Sequence, residues 1–366
     1  MNPTGSRAVW RQIMRYEKPA RMPIFEIEGI PHETADRWRS EGLPPGADVN
    51  AYLGIDTVRW IHTDFYPLPR FPSLAVDETE DYRIEINMQG IKTQVSKNHP
   101  DLVYQFLDYP VKNRTDWERM KERYDPTDIR RIPVEWGDPD LPRYYDECES
   151  PLGLLIHPFF FRLGLYSMGL VPFLEAFYDD PDLIHDMFSF WSGFTCELLG
   201  KVLHEITPDF VVIAEDMAHK TAPHISPEMY REFWFPYQTD VINLFKKKGV
   251  EVISFWNSGY LMPLLPALVE AGFNCMWPLE DVAGMSAIAV REQYGTSMRM
   301  VGNIAKEALI AGKEQIKREV YEKVPPLIEA GGYIPTVDDQ TPLEVSFENY
   351  TYYLEMLHRV GREAGL

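Results

Sequence analysis

Carboxylates follow short apolar runs in this sequence, and in a parallel α/β fold that is where an active site forms. Glu215 and Asp216 come directly after FVVIA, and Asp338 follows a second such run near the end of the chain. Side chains just past the carboxyl ends of parallel strands meet at one face of the fold. Carboxylates in that position transfer protons or bind metal ions. We therefore predict Glu215, Asp216 and Asp338 as the catalytic residues.

Polar and aromatic side chains after the other apolar runs predict a substrate pocket. Rings interleaved with carboxylates suit a flat arene or a methylammonium cation. Two members also have structural explanations. The Phe triplet that begins at Phe159 favours a core position over the pocket, and His157 fits a hydrogen-bonded structural histidine as well as a ligand. The predicted substrate-binding residues are Glu28, His157, Phe159, Trp256, Asn257, Tyr260 and Asn303.

A metal site is a further hypothesis. His157, Glu215 and Asp338 carry nitrogen and oxygen atoms that ligate divalent ions, although their spacing does not identify a metal. No Cys-x-x-Cys is present, so zinc-ribbon and dithiol functions are disfavoured.

The elements that position these residues follow a strand–helix rhythm after residue 151. Six short apolar runs alternate with amphipathic segments, and Ser226-Pro227 is typical of a helix start. The predicted amphipathic segments span 161–178, 181–205, 226–248, 261–271, 285–294, 305–329 and 345–362. With FEIEG near the start and one more early strand, the rhythm predicts a distorted (β/α)8 TIM barrel. An N-terminal extension and a hairpin at 81–96 complete one domain over 1–366. A doubly wound sheet is the alternative, disfavoured because no glycine-rich phosphate-binding motif occurs.

Composition narrows the function classes. The 366 residues are 45% hydrophobic and carry a formal net charge of −20, which disfavours nucleic acid and anionic membrane surfaces as partners. No apolar run has the length of a membrane span, and no signal peptide is visible at the N-terminus. The three widely spaced cysteines fit a reducing compartment, so we predict a cytoplasmic location.

These segments resemble the uroporphyrinogen decarboxylase superfamily over nearly the whole chain. Its marks are RMPIFEIEG near the start, YLGID at 52–56, FLEAFYDDPDLI at 173–184, DFVVIAEDMA at 209–218, ISPEMYREFWFPY at 225–237 and VGNI at 301–304. The resemblance implies a distorted (β/α)8 barrel and one of two activities, porphyrinogen decarboxylation or methyl transfer with a corrinoid protein. True decarboxylases are expected to hold a polyanionic substrate with N-terminal arginines, whereas the stretch here, EIEGIPHE, is acidic.

The resemblance therefore favours the methyltransferase branch, with departures. Thiol-methylating members are expected to hold zinc through His-x-Cys, but Trp256 and Ser258 stand at those positions, and Asp339 replaces a frequent His. A zinc–thiolate enzyme is disfavoured, and the usual polar set of the O-demethylating members is altered. The altered set leaves open whether catalysis is changed or lost.

The resemblance implies a methyltransferase that demethylates a small methylated, methoxy-aromatic substrate. The methyl group would pass to a corrinoid (cobalamin) carried by a partner protein, and Glu215 or Asp216 would protonate the departing oxygen. One alternative is a decarboxylase or lyase acting on a small acid, with Arg162 or Lys220 binding the carboxylate. Another is a non-catalytic ligand-binding barrel in which Trp256 fills the place of a histidine. A homodimer is also expected from the family.

Overall fold

The structure, a computed structural model, describes residues 5–26, 28–97, 104–133 and 136–366. Its strands form two sheets. The strands are β1 (Arg59–Ile61), β2 (Leu74–Glu78), β3 (Tyr82–Ile86), β4 (Lys92–Ser96), β5 (Tyr104–Asp108), β6 (Leu152–Ile156), β7 (Phe210–Ala214), β8 (Val252–Trp256), β9 (Cys275–Trp277), β10 (Arg299–Ile304) and β11 (Tyr333–Val337). Seven parallel strands form a curled sheet in the order β1-β6-β7-β8-β9-β10-β11, and β2 to β5 form an antiparallel sheet.

Helices connect the parallel strands and cover their outer face. They are α1 (Ser6–Met14), α2 (His32–Glu41), α3 (Val49–Leu53), α4 (Arg114–Lys121), α5 (Leu141–Asp146), α6 (Phe160–Met168), α7 (Leu170–Asp179), α8 (Pro181–Glu205), α9 (Pro227–Met229), α10 (Phe235–Lys247), α11 (Leu265–Ala271), α12 (Ala287–Tyr294), α13 (Lys306–Ala311), α14 (Lys313–Ala330) and α15 (Phe347–Glu363). In the described part of the chain no single helix is long and apolar enough to cross a membrane, although the bent pair α6 and α7 passes that test by length and composition.

The strand–helix rhythm predicted after residue 151 is confirmed. The hydroxyl of Ser226 accepts a hydrogen bond from the N–H of Met229, as its predicted role at a helix start requires. The segment predicted as one helix over 161–178 is instead two helices that meet at 107°. Gly169 lies at the break with φ +86°, and a Cβ there would come within 2.4 Å of the Tyr109 ring. The hairpin predicted at 81–96 is present as β3 and β4.

The predicted eighth barrel strand, FEIEG, is not confirmed, and its residue 27 lies outside the described residues. Phe25 forms only an isolated parallel bridge with Asp56, and the described residues therefore give a curled seven-stranded half-barrel rather than a complete one. Two features explain the short pairing. Pro23 has no N–H to donate, and the N–H of Ile24 donates to the Asp56 carboxylate at 3.1 Å instead of to a strand.

The seven parallel strands separate two apolar clusters. Leu154, Ile213 and Phe255 point outward to the helices, while alternate residues such as Phe210 and Val252 point inward. Trp10 of α1 joins the inner cluster and stacks on Phe210 with ring centroids 4.5 Å apart. Helix α1 therefore closes the amino end of the half-barrel.

Gly302 provides a test of how tightly β10 packs against the chain that follows β9. A Cβ at this position, where φ is +122°, would lie 1.8 Å from the Pro278 carbonyl oxygen. We expect Gly302→Ala to lower the free energy of unfolding by at least about 3 kcal/mol in urea titrations, because both the backbone angle and the contact are unfavourable.

The matched control is Gly193→Ala in α8, where an added Cβ meets no heavy atom within 4 Å. This change should raise the free energy of unfolding by about 0.5–1 kcal/mol, since alanine restricts the unfolded chain. Equal effects of the two substitutions would contradict the packing described for β10.

Candidate active site

The inner face of the sheet is open at Leu155. This leucine lies near the carboxyl end of β6, where its side chain is 42% exposed although its neighbours Leu154 and Ile156 are fully buried. Because the neighbours point outward to the helices, Leu155 points to the inner face. Leu155 therefore gives the inner face of the sheet an exposed apolar floor.

Trp256 forms an aromatic wall on the same inner face. It ends β8 opposite Ala214 of β7 and Trp277 of β9, so its indole lies next to a small side chain on one side and a second indole on the other. The indole N–H donates to the carboxylate of Glu28. The Arg162 guanidinium lies over the Trp256 ring, 4.9 Å from its centroid. Trp256 is therefore held in place by an acid at its edge and a cation on its face.

Arg162 connects the largest number of predicted site residues. It projects from the first turn of α6, and its Nη1 lies 2.9 Å from Nε2 of His157 and 3.0 Å from the Tyr166 oxygen. Its Nη2 donates to the Asp216 carboxylate at 3.2 Å. With only 14% of its side chain exposed, it presents a partly desolvated cation at the site. The sequence suggested Arg162 only as a carboxylate-binding alternative.

Tyr66 is a further candidate for the site, which the sequence analysis did not name. Its hydroxyl lies 2.6 Å from Nδ1 of His157, in the segment that follows β1. Burial raises the pKa of Tyr66 to about 12. Burial and the neighbouring Arg162 charge lower the pKa of His157 to about 4. An aromatic hydroxyl five residues past a strand end is the signal that was available in the sequence.

The Glu215 carboxylate is buried and is not exposed at the site. Its side chain is fully buried, and one carboxylate oxygen accepts the Phe161 N–H at 2.6 Å while the other accepts the Trp234 indole N–H at 3.1 Å. Burial raises the pKa of Glu215 to about 8, although both donors act in the opposite direction. Glu215 therefore fixes the start of α6, from which Arg162 extends.

Asp338 and the two predicted asparagines also bind backbone groups. Asp338 accepts the N–H of Asp281 at 2.8 Å and of Lys306 at 3.0 Å, and burial raises its pKa to about 7. Asn257 accepts the Met217 N–H at 2.6 Å. Asn303 is fully buried and binds three backbone groups with its amide. These residues hold the loops after the strands in position.

Three of the remaining predicted residues, Glu28, Asp216 and Tyr260, are partly exposed, whereas Phe159 lies in the core. Glu28 is partly exposed, and burial of its carboxyl raises its pKa. Asp216 is 38% exposed and adopts φ +57°, a backbone angle that is uncommon for a residue with a side chain. Tyr260 is partly buried in the loop after β8. Phe159 is fully buried and packs on Phe160 in the outer core, 4.2 Å between centroids.

The three candidate metal ligands are not brought together. Within the described ranges no three His, Cys, Asp or Glu side chains converge on a common point. The nitrogens of His157 contact Tyr66 and Arg162, and both oxygens of Glu215 and of Asp338 accept N–H donors. Each of these side chains is used by a hydrogen bond instead.

Comparison with known proteins identifies the family. Residues 158–360 match the model of the uroporphyrinogen decarboxylase (URO-D) family, and the chain belongs to that family. Over 141 residues it is 29% identical to a uroporphyrinogen decarboxylase of Carboxydothermus hydrogenoformans, and the match spans 37% of this chain and 38% of that relative. The fold is also similar to a methyltransferase from Methanosarcina mazei, with a TM-score of 0.62, 16% identity and 99% of each chain covered. The resemblance inferred from the sequence is confirmed at the level of the family.

Glu26, on the same segment as Glu28, gives a pH-dependent prediction. It is 8% exposed, accepts the Tyr350 hydroxyl at 3.0 Å, and has one carboxylate oxygen without a partner among the described residues. Burial raises its pKa to about 8. Between about pH 4.5 and 8 the folded protein keeps a proton that the unfolded chain has released, so this group makes the free energy of unfolding fall as pH rises.

Glu26→Gln should remove this slope, because glutamine resembles the protonated acid. Across this window Glu26 should make the free energy of unfolding of the unaltered chain fall by up to about 1.4 kcal/mol per pH unit. The variant should not show this fall. Urea unfolding of both proteins at pH 5.5 and 7.5 measures the difference. Exposed Glu307→Gln serves as the control. If the Glu26 and Glu307 variants show the same slope, the buried acid is not the cause.

Proposed function

We propose that this chain is a methyltransferase that demethylates a small methoxy-aromatic compound and passes the methyl group to a corrinoid carried by a partner protein. Family membership and the likeness to the Methanosarcina fold support the general class. The observation that carries the proposal is the position of Arg162. Its guanidinium lies on the Trp256 ring and beside His157, so N–H donors and an aromatic wall occupy the same place.

The apolar surfaces suit a flat substrate. Leu155 offers a methyl-rich floor, and the face of the Trp256 indole that Arg162 does not cover provides a surface for packing an aromatic ring. A neutral methoxy-aromatic compound such as anisole binds without overcoming the acidic net charge of the chain. Its ether oxygen needs a hydrogen-bond donor, and Arg162 with its neighbours supplies donors at the same wall.

The chemical step makes one bond and breaks one. The corrinoid, as a co-substrate brought by the partner, supplies the electron pair that forms the new bond to the methyl carbon. The carbon–oxygen bond breaks and its electron pair remains on oxygen, which leaves as a phenolate or, after taking a proton, as a phenol. Negative charge therefore develops on oxygen, and the Arg162 cation stabilises it in a partly desolvated place.

The predicted catalytic residues take different parts in this proposal. Asp216 is open and bound to Arg162, so it orients the guanidinium and partly balances its charge. Glu215 and Asp338 bind backbone N–H groups, and we assign them to positioning α6 and the loops before α13. Glu28 holds the edge of Trp256.

Decarboxylation of a small aromatic acid is the second candidate. It is favoured by the same cation, because a guanidinium binds a carboxylate in a two-pronged arrangement. The two candidates differ in their requirements. A decarboxylase releases carbon dioxide with the purified chain alone, whereas methyl transfer needs the corrinoid protein.

The test is a visible spectrum of a reduced corrinoid protein mixed with this chain and a panel of methoxy-aromatic compounds. We expect the reduced band to decay as the methylated band grows. Arg162→Lys should slow this change about 100-fold, since lysine keeps the charge but loses the planar fork and the stack on Trp256. Arg231→Lys, which alters an exposed ion pair with Glu270, is the matched control.

Two results would count against the proposal. One is an unchanged spectrum across the panel with a corrinoid protein that a known methyltransferase methylates. The other is equal rates for the Arg162 and Arg231 variants. Carbon dioxide released from aromatic acids without any partner would support the second candidate.

A further inference from the structure

The His157 ring joins a cation to a phenol, and this arrangement fixes the position of one proton. Nε2 of His157 lies 2.9 Å from Nη1 of Arg162, and Nδ1 lies 2.6 Å from the Tyr66 oxygen. A guanidinium has only donors to offer. Nε2 must therefore accept, so it carries no hydrogen.

The tautomer of the histidine follows. A neutral imidazole has one N–H, and with Nε2 accepting, that hydrogen is on Nδ1. Burial and the Arg162 charge keep the ring neutral, as the lowered pKa of about 4 indicates. Nδ1 consequently donates to the Tyr66 oxygen, and the phenol accepts this bond.

The hydrogen of the Tyr66 hydroxyl is then not used by His157. Among the described residues, His157 is the partner of the Tyr66 oxygen, and the backbone N–H of Tyr66 donates to Asp64. The Arg70 guanidinium lies 5.3 Å from the Tyr66 ring centroid and restrains the ring. The phenol is thus a donor with a fixed oxygen, beside the guanidinium that covers Trp256.

We propose that the Tyr66 hydroxyl is a catalytic residue that donates a hydrogen bond to the oxygen of the substrate from which the methyl group departs, and that His157 and Arg162 position it. This inference rests on the proposed function and deepens it, because it names the group that contacts the departing oxygen. The Nδ1–H of His157 makes the phenol a stronger donor, since hydrogen bonds in a chain polarise one another.

The experiment compares Tyr66→Phe with the unaltered chain on methyl phenyl ethers of graded leaving ability, from anisole to 4-nitroanisole. Phenylalanine keeps the ring and removes only the donor. We expect a 10- to 100-fold lower rate with anisole and a much smaller deficit with 4-nitroanisole, whose phenolate needs less stabilisation. A merely structural change would lower all rates by the same factor. Tyr178→Phe, on a residue that is 78% exposed, is the matched control.

A binding measurement separates this inference from the proposed function. Bound 4-nitrophenol is titrated by its absorbance, and a donor at Tyr66 should stabilise its phenolate, so Tyr66→Phe should raise the apparent pKa of the bound phenol. If the unaltered chain binds 4-nitrophenol in this Tyr66-dependent way but never transfers a methyl group, the proposed function fails and the donor assignment stands.

Other outcomes overturn the inference itself. One is methyl transfer in which Tyr66→Phe shows the same deficit for every leaving group. The other is a leaving-group-dependent loss in Tyr166→Phe alone, which would move the donor to the other phenol beside Arg162.

Discussion

The buried carboxylate of Glu215 is the constraint on which the site depends. It follows β7 directly, and by accepting the Phe161 N–H it sets where α6 begins and which way its first turn faces. Arg162 is the next residue, so its guanidinium reaches Trp256 and His157 only if that first turn is fixed. The second bond, from Trp234, ties the same carboxylate to the helical segment that follows β7. One side chain thus aligns two connections of the half-barrel.

The site divides its polar groups by burial. Carboxylates and amides that are buried, such as Asp338 and Asn303, bind backbone N–H and carbonyl groups whose burial without partners would cost free energy. Groups that remain partly exposed, namely Arg162, Tyr66, Glu28 and Asp216, lie around His157 and Trp256. Buried acids therefore build the frame, whereas Arg162 and Tyr66 carry the hydrogens that we propose a ligand meets.

The sequence predicted the repeating elements well because their signals are local. The strands after residue 151 are short and predominantly apolar, and helix starts such as Ser226 carry their own caps. The strand pairing at Phe25 stays short because the Ile24 N–H binds the Asp56 carboxylate. Asp56 is 31 positions from Phe25 in the sequence, so no local pattern shows this contact. For the site, strand-end position selected Trp256 and Asp216, which the fold brings together at Arg162, yet it does not distinguish an exposed acid from one that binds backbone. The sequence did not predict Tyr66 as a site residue because only the fold brings it to His157.

The helix packed across the amino end of the sheet has a kinetic consequence. Because Trp10 closes that end, a ligand of the inner face is expected to arrive from the carboxyl ends of the strands. A small compound and a large protein that both bind this face must use the same entrance. The small one has to arrive first, because the large one covers the way in, and it leaves only after the large one withdraws. The architecture thus imposes an order of arrival and departure on any reaction that needs both.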